Sequence, residues 1–113
     1  MHQVKRSIEF QEELNELKEK AGKGNGEARY LLEIVEKGLL KLAANPEAGV
    51  HIRKRQIPKE YSLRFGATNL WKLNLDSYWR LIYTLQGTRV QLYAIVLEVL
   101  DHKKYDRKFG YHT

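Results

Sequence analysis

Residues 69–85 read NLWKLNLDSYWRLIYTL, and the way its two halves pair decides the fold. Strand side chains alternate between faces, so turn length fixes which of them share a side. With Asp76, Ser77 and Tyr78 as a three-residue turn, Leu75 lies across from Trp79, Leu73 from Leu81 and Trp71 from Tyr83. The large apolar residues then share one face. A turn of two or four residues mixes the faces, so hydrophobic matching selects three. The opposite face carries Lys72, Asn74, Arg80 and Ile82, with Asn74 directly across from Arg80. That face is expected to be open, which makes Arg80 accessible to a ligand.

The next strand spans Arg89–Leu100. An even-length turn, with Leu85 across from Val90, puts Val90, Leu92, Ala94 and Val96 on the core face. Gln91 and Tyr93 then join Arg80. Ile95, Leu97 and Val99 are apolar too, which marks a strand buried on both sides or bulged. It runs antiparallel to Trp79–Leu85, so its end returns to the level of Arg80. The tail Asp101-His102-Lys103-Lys104-Tyr105 emerges there. Pairing alone thus predicts a cluster of Arg80, His102, Lys103, Lys104 and Tyr105, with Lys72 and Asn74 close by.

Upstream, Val4–Phe10 reads as a short strand and Gln11–Ala21 as a helix whose apolar face holds Leu14 and Leu17. Gly22-Lys23-Gly24-Asn25-Gly26 breaks that helix. It lacks the preceding strand and the Lys-Ser/Thr ending of a phosphate loop, so it reads as a connector. Glu27–Ala44 carries Ala28, Leu31, Leu32, Val35, Leu39 and Leu42 at helical spacing, and Asn45-Pro46 ends it. Gly49–Gln56 holds His51, Arg53, Lys54 and Arg55, either a charge-protected edge strand or a phosphate-contacting arm. Pro58–Phe65 is a short helical turn closed by Gly66. The expected fold class is α+β in one domain over residues 1–113. It has an N-terminal strand, an αα-hairpin, a three-strand antiparallel meander and a short C-terminal tail, with helices covering one sheet face.

Charge separates the two halves of the chain. The net charge is +6. Residues 1–48 hold 8 Lys/Arg against 9 Asp/Glu, a balance of −1, whereas residues 49–113 hold 12 against 5, a balance of +7. A one-sided basic surface is the footprint of a polyanion binder. With no cysteine there is no disulfide, thiol nucleophile or cysteine-ligated zinc. No apolar run is long enough to span a bilayer, and no apolar segment follows the basic N-terminus, so a cytoplasmic protein without a membrane partner is expected. His2, His51, His102 and His112 show no metal-binding spacing, and carboxylates are scarce in the basic half, so neither a metal nor another cofactor is expected.

The order of elements, together with Asn69-Leu70-Trp71-Lys72-Leu73, Trp79-Arg80-Leu81-Ile82-Tyr83 and Asp101-His102-Lys103-Lys104-Tyr105, resembles the RelE/ParE toxin superfamily. The element order covers nearly the whole chain, and the motifs cover about a third of it. The resemblance implies a toxin of a type II toxin–antitoxin pair. Such a toxin enters the ribosomal A site and cuts mRNA there with the neighbouring 2′-hydroxyl as nucleophile, without a metal. It implies that Arg80 stabilises the scissile phosphate and that His102, Lys103 and Tyr105 supply acid, base or stacking groups. The partner it implies is an antitoxin wrapped over the basic surface as a hetero-oligomer. Many members end in His-Arg with a Tyr five residues after the His. Here lysines follow the His, and Tyr105 comes three residues on. ParE-like members share the fold and act on DNA gyrase.

The residues fit that chemistry. RNA carries its own nucleophile, so the protein must orient the backbone and stabilise a pentavalent phosphorane. Arginine binds phosphate oxygens bidentately and keeps its charge. An imidazole, with an ordinary pKa of about 6.5, is the natural acid or base. Arg53, Lys54, Lys59, Lys72, Asn74 and Lys104 complete an expected RNA-binding set. Tyr105, Phe109 and Tyr111 also suit a second role, pinning the tail to the core. Three readings stay open: a ribonuclease, a toxin-fold protein that binds without cutting (gyrase-directed, or a degenerate RNA- or antitoxin-binding module), and an unrelated small RNA-binding domain.

Overall fold

In the computed structural model, which describes residues 1–110, the chain is α+β. It runs β1 (Val4–Arg6), α1 (Ile8–Gly22), α2 (Gly26–Ala44), β2 (Val50–Ile52), a 3-10 turn (Lys54–Gln56), α3 (Lys59–Phe65), β3 (Leu70–Asn74), β4 (Trp79–Gln86), β5 (Tyr93–Asp101) and α4 (His102–Phe109). The strands make one mixed sheet in the order β1-β5-β4-β3-β2, with β1 parallel to β5. The expected three-strand meander is therefore the middle of a five-stranded sheet.

The β3–β4 hairpin pairs as its sequence dictates: Trp71 with Tyr83, Leu73 with Leu81 and Asn74 with Arg80. Asp76 holds the turn by accepting from the backbone N–H groups of Tyr78 at 2.8 Å and Trp79 at 2.6 Å. At the other end of the hairpin the Asn69 side chain takes the place of a ladder rung. Its amide donates to Leu85 O and its carbonyl accepts from Leu85 N, both at 2.9 Å.

The β4–β5 register departs from the expected one. Leu85 pairs with Ala94, not Val90, because residues 87–92 form a loop, and Val90 is exposed. The shift is an even number of residues, so Ala94 and Val96 still face the core with α1 and α2. A bulge then follows. Tyr83 pairs with Val96 but Ile82 pairs with Glu98, leaving Leu97 as the extra residue. Beyond it the faces exchange parity: Val99 joins the α1–α2 side, while Leu97 and Leu100 join the other.

That other face is not open. Ile52, Tyr61, Leu70, Ile82, Leu97, Leu100, Tyr105 and Phe109 form a second core beneath α3 and α4. The helices thus cover both faces, and the expected tail is a helix. Its start is fixed by Asp101, whose side chain accepts from Lys104 N–H at 2.8 Å. Tyr105 and Phe109, one turn apart, bury its inner side, their rings stacked 4.5 Å apart. Tyr111 lies outside the described residues.

Two N-terminal boundaries also differ. β1 stops at Arg6 and α1 begins at Ile8, not Gln11, because Ser7 caps the helix. Its hydroxyl accepts from Phe10 N–H at 3.0 Å and donates to Leu97 O at 2.7 Å, which also ties α1 to the sheet. Asn25 caps α2 in the same way. Among the described residues no helix is long and apolar enough to cross a membrane.

Candidate functional site

Arg80 sits near the start of β4, paired with Asn74 on one side and Leu100 on the other. Its side chain projects to the α4 side of the sheet. The guanidinium carbon lies 4.7 Å from the centre of the Tyr105 ring, and Lys72 Nζ lies 4.9 Å from the same ring. Two cations thus converge on one aromatic face, each attracted by its quadrupole. Arg80 Nε and Nη1 are shielded from solvent and find no hydrogen-bond acceptor among the described residues. Direct contact with those two groups requires local movement around them. The charge acts without it, since a guanidinium in this half-buried setting is poorly screened.

Asp76 feels the charge of Arg80. Its slight burial favours the neutral acid, but the N–H of Trp79, the Tyr30 hydroxyl at 2.8 Å, the N–H of Tyr78 and the charge of Arg80 outweigh that. The carboxyl is held below the ordinary carboxylate range.

The α4 residues divide by helix face. Tyr105 is 1% exposed, so its ring is spent on Phe109, Arg80 and Lys72 and is not presented for stacking on a base. His102 and Lys103 stand exposed in the first turn. The His102 ring lies 6.5 Å from Tyr78, and its Nε2 lies 3.1 Å from Asp106 Oδ2. Asp106 was not among the residues singled out from sequence. The signal is the spacing of four from His102, which becomes meaningful only once the segment is helical.

The remaining basic residues are dispersed. Lys104 lies with Arg107 and Lys108 along a cleft of about 540 Å³, facing Glu9, Glu12, Glu13 and Glu16 of α1. Arg53 and Lys54 follow β2, and Ile52 pairs with Leu70 at the opposite end of β3 from Asn74. Four residues of strand, roughly 13 Å, separate those ends. Lys59 opens α3. The structure therefore gathers Lys72, Asn74, Arg80 and Tyr105 at one corner, sets His102 beside Tyr78 and Asp106 with Lys103 exposed next to it, and places Arg53, Lys54, Lys59 and Lys104 elsewhere on the surface.

Beside the corner lies a buried carboxylate that sequence reasoning did not single out. Glu98, next to the bulge, is 6% exposed. It accepts from the Tyr61 hydroxyl at 2.5 Å and pairs with Lys108 at 3.2 Å and Arg64 at 3.9 Å. Burial, together with this carboxylate, pushes the Tyr61 hydroxyl far above its ordinary value. Glu13 of α1 comes next to the same group, and its carboxyl is raised from 4.5 to about 7, first by burial and then by the charge of Glu98.

Comparison with known proteins returns no family model, no curated protein and no solved structure that matches this chain.

Proposed function

We propose that this chain is a ribosome-dependent endoribonuclease, the toxin of a toxin–antitoxin pair, with a RelE/ParE-like domain. The observation that carries the reading is Arg80. It is a half-buried guanidinium on the middle strand, beside Lys72 and over Tyr105, with two shielded N–H groups that have no acceptor among the described residues. Such a cation, held by packing and not by a carboxylate, suits charge that develops on a phosphorane. The resemblance noted in Asn69–Leu73, Trp79–Tyr83 and Asp101–Tyr105 supports the same reading. So does the antiparallel run β3-β4-β5 with an αα-hairpin across one face.

In this scheme the 2′-oxygen of the substrate bonds to phosphorus and the P–O5′ bond breaks. The proton of the 2′-hydroxyl passes to a base, a role assigned to the His102 imidazole. Lys103 or a water protonates the departing 5′-oxygen. The products are a 2′,3′-cyclic phosphate and a 5′-hydroxyl end. Arg80 and Lys72 offset the charge on the non-bridging oxygens, and Asn74 lies across the strand pair from Arg80. The cytoplasmic partners are mRNA on the ribosome and an antitoxin whose acidic or amphipathic segment complements the +7 half of the chain.

Regulated expression with mapping of mRNA 5′ ends tests this. Wild type is expected to arrest growth and cut ribosome-bound mRNA, and Arg80→Ala to lose about 10²–10³-fold in cleavage while keeping its fold. Growth arrest without new mRNA ends supports instead a member of the same fold that binds without cutting, a reading favoured by the burial of Tyr105.

A further inference from the structure

We infer that Asp106 is a positioning residue for His102, accepting a hydrogen bond from Nε2–H and leaving Nδ1 as the nitrogen that takes the 2′-hydroxyl proton. The inference rests on the ribonuclease reading above. Its basis is the first turn of α4. Asp101 caps that helix, so His102 occupies its first position and Asp106 lies one turn further along the same side. The two side chains meet at 3.1 Å, Nε2 to Oδ2. Lys103 and Arg107 flank these positions, yet the Asp106 carboxylate pairs with the imidazole.

An ionised carboxylate only accepts hydrogen bonds, so the nitrogen facing it must carry hydrogen. A neutral imidazole carries one N–H, so its acceptor site is then Nδ1. The side chains are 48% and 38% exposed, and a pair that open to water adds little to stability. What it supplies is a bias in ring orientation and tautomer. The neighbouring Tyr105, buried against Arg80, holds the helix to the sheet, so the Asp106–His102 pair is registered to the phosphate-binding corner through packing. The base and the cation are thereby carried on two different elements, α4 and β4.

Two measurements on the full chain decide it. Nitrogen-15 spectra of the neutral His102 imidazole are expected to show hydrogen on Nε2 and an unprotonated Nδ1, with the Nδ1–H share rising in Asp106→Ala. Hydrogen on Nδ1 in the wild type overturns the inference. In the cleavage assay, Asp106→Ala is expected to cost about tenfold when His102 is present. In a His102→Ala background, itself about 10²–10⁴-fold down, it should cost nothing more. Equal losses in both backgrounds, or no loss in either, overturn the inference while leaving the ribonuclease reading standing. A wild type that cuts nothing sinks the ribonuclease reading, and with it the role of Nδ1 as base. The spectra then still decide whether Asp106 fixes the tautomer. Melting curves of all variants separate loss of function from loss of fold.

Discussion

At the scale of single residues, buried polar groups decide how the second face holds together. Glu98 enters an apolar layer only because Tyr61, Lys108 and Arg64 meet it there. Removing one partner of such a group leaves the others incompletely bonded, which costs more than the bond itself contributes. Tyr61→Phe keeps the ring and deletes the donor. It is expected to destabilise the protein by about 2 kcal/mol, read as a lower urea midpoint with an unchanged slope. Arg80 presents the opposite case. Its Nε and Nη1 lack acceptors among the described residues, a cost that an acceptor brought to them by local movement would offset. A residue kept at such a cost fits a binding role better than a structural one.

At the scale of elements, α4 joins the candidate site to the sheet, and its N-cap is its most local determinant. Asp101→Ala deletes the acceptor of Lys104 N–H and is expected to cost about 1 kcal/mol. In a domain of this size that lowers the midpoint of thermal unfolding by about 5 °C. The β3–β4 hairpin was legible in sequence because one turn length alone puts Trp71, Leu73, Leu81 and Tyr83 on a common side. The Pro58–Phe65 turn was legible for an equally local reason, with Gly66 closing it at φ 65°. The β4–β5 connection was not. Gln86-Gly87-Thr88 marks where the chain turns but not where pairing resumes, and pairing resumes only at Tyr93. Helix α4 was missed because its outer side is almost wholly charged. Its signals, a capping Asp101 and two aromatics at a spacing of four, are short-range ones that a reading for strands passes over. With α4 unseen, the covered second face and the Asp106 contact were unseen too, although Tyr105 and Phe109 are legible in sequence as residues suited to pin the tail to the core.

At the scale of the whole molecule, the charge division between the halves becomes a division in space. The row Glu9, Glu12, Glu13 and Glu16 on α1 faces Arg64, Lys104, Arg107 and Lys108 across one cleft. Within it Glu13 is raised to about 7, so the folded protein holds a proton that the unfolded chain has already released. The contribution of Glu13 to stability is therefore undiminished below about pH 4.5, falls as pH rises toward 7, and stays at its low value above that. Glu13→Gln is expected to flatten this decline and to raise the melting temperature at pH 8 relative to wild type. Melting curves taken from pH 4.5 to 8 check it. A slope that persists in the variant assigns the decline to other groups.

The bulge at Leu97 gives β5 something like a reading frame. Upstream of it the even-numbered residues Ala94 and Val96 pack toward α1 and α2; downstream of it an odd-numbered one, Val99, does so. Deleting Leu97 would leave the chain one residue short and nearly unchanged in composition. It would remove the bulge, set Glu98 directly after Val96 and opposite Ile82, and leave Glu98, Val99, Leu100 and the cap of α4 on their present sides. Deleting a paired residue such as Val99 would instead send Leu100 and the cap of α4 to the wrong sides. The two cores and the corner that holds Arg80 are thus kept in step by the count of paired residues along β5, and not only by what those residues are.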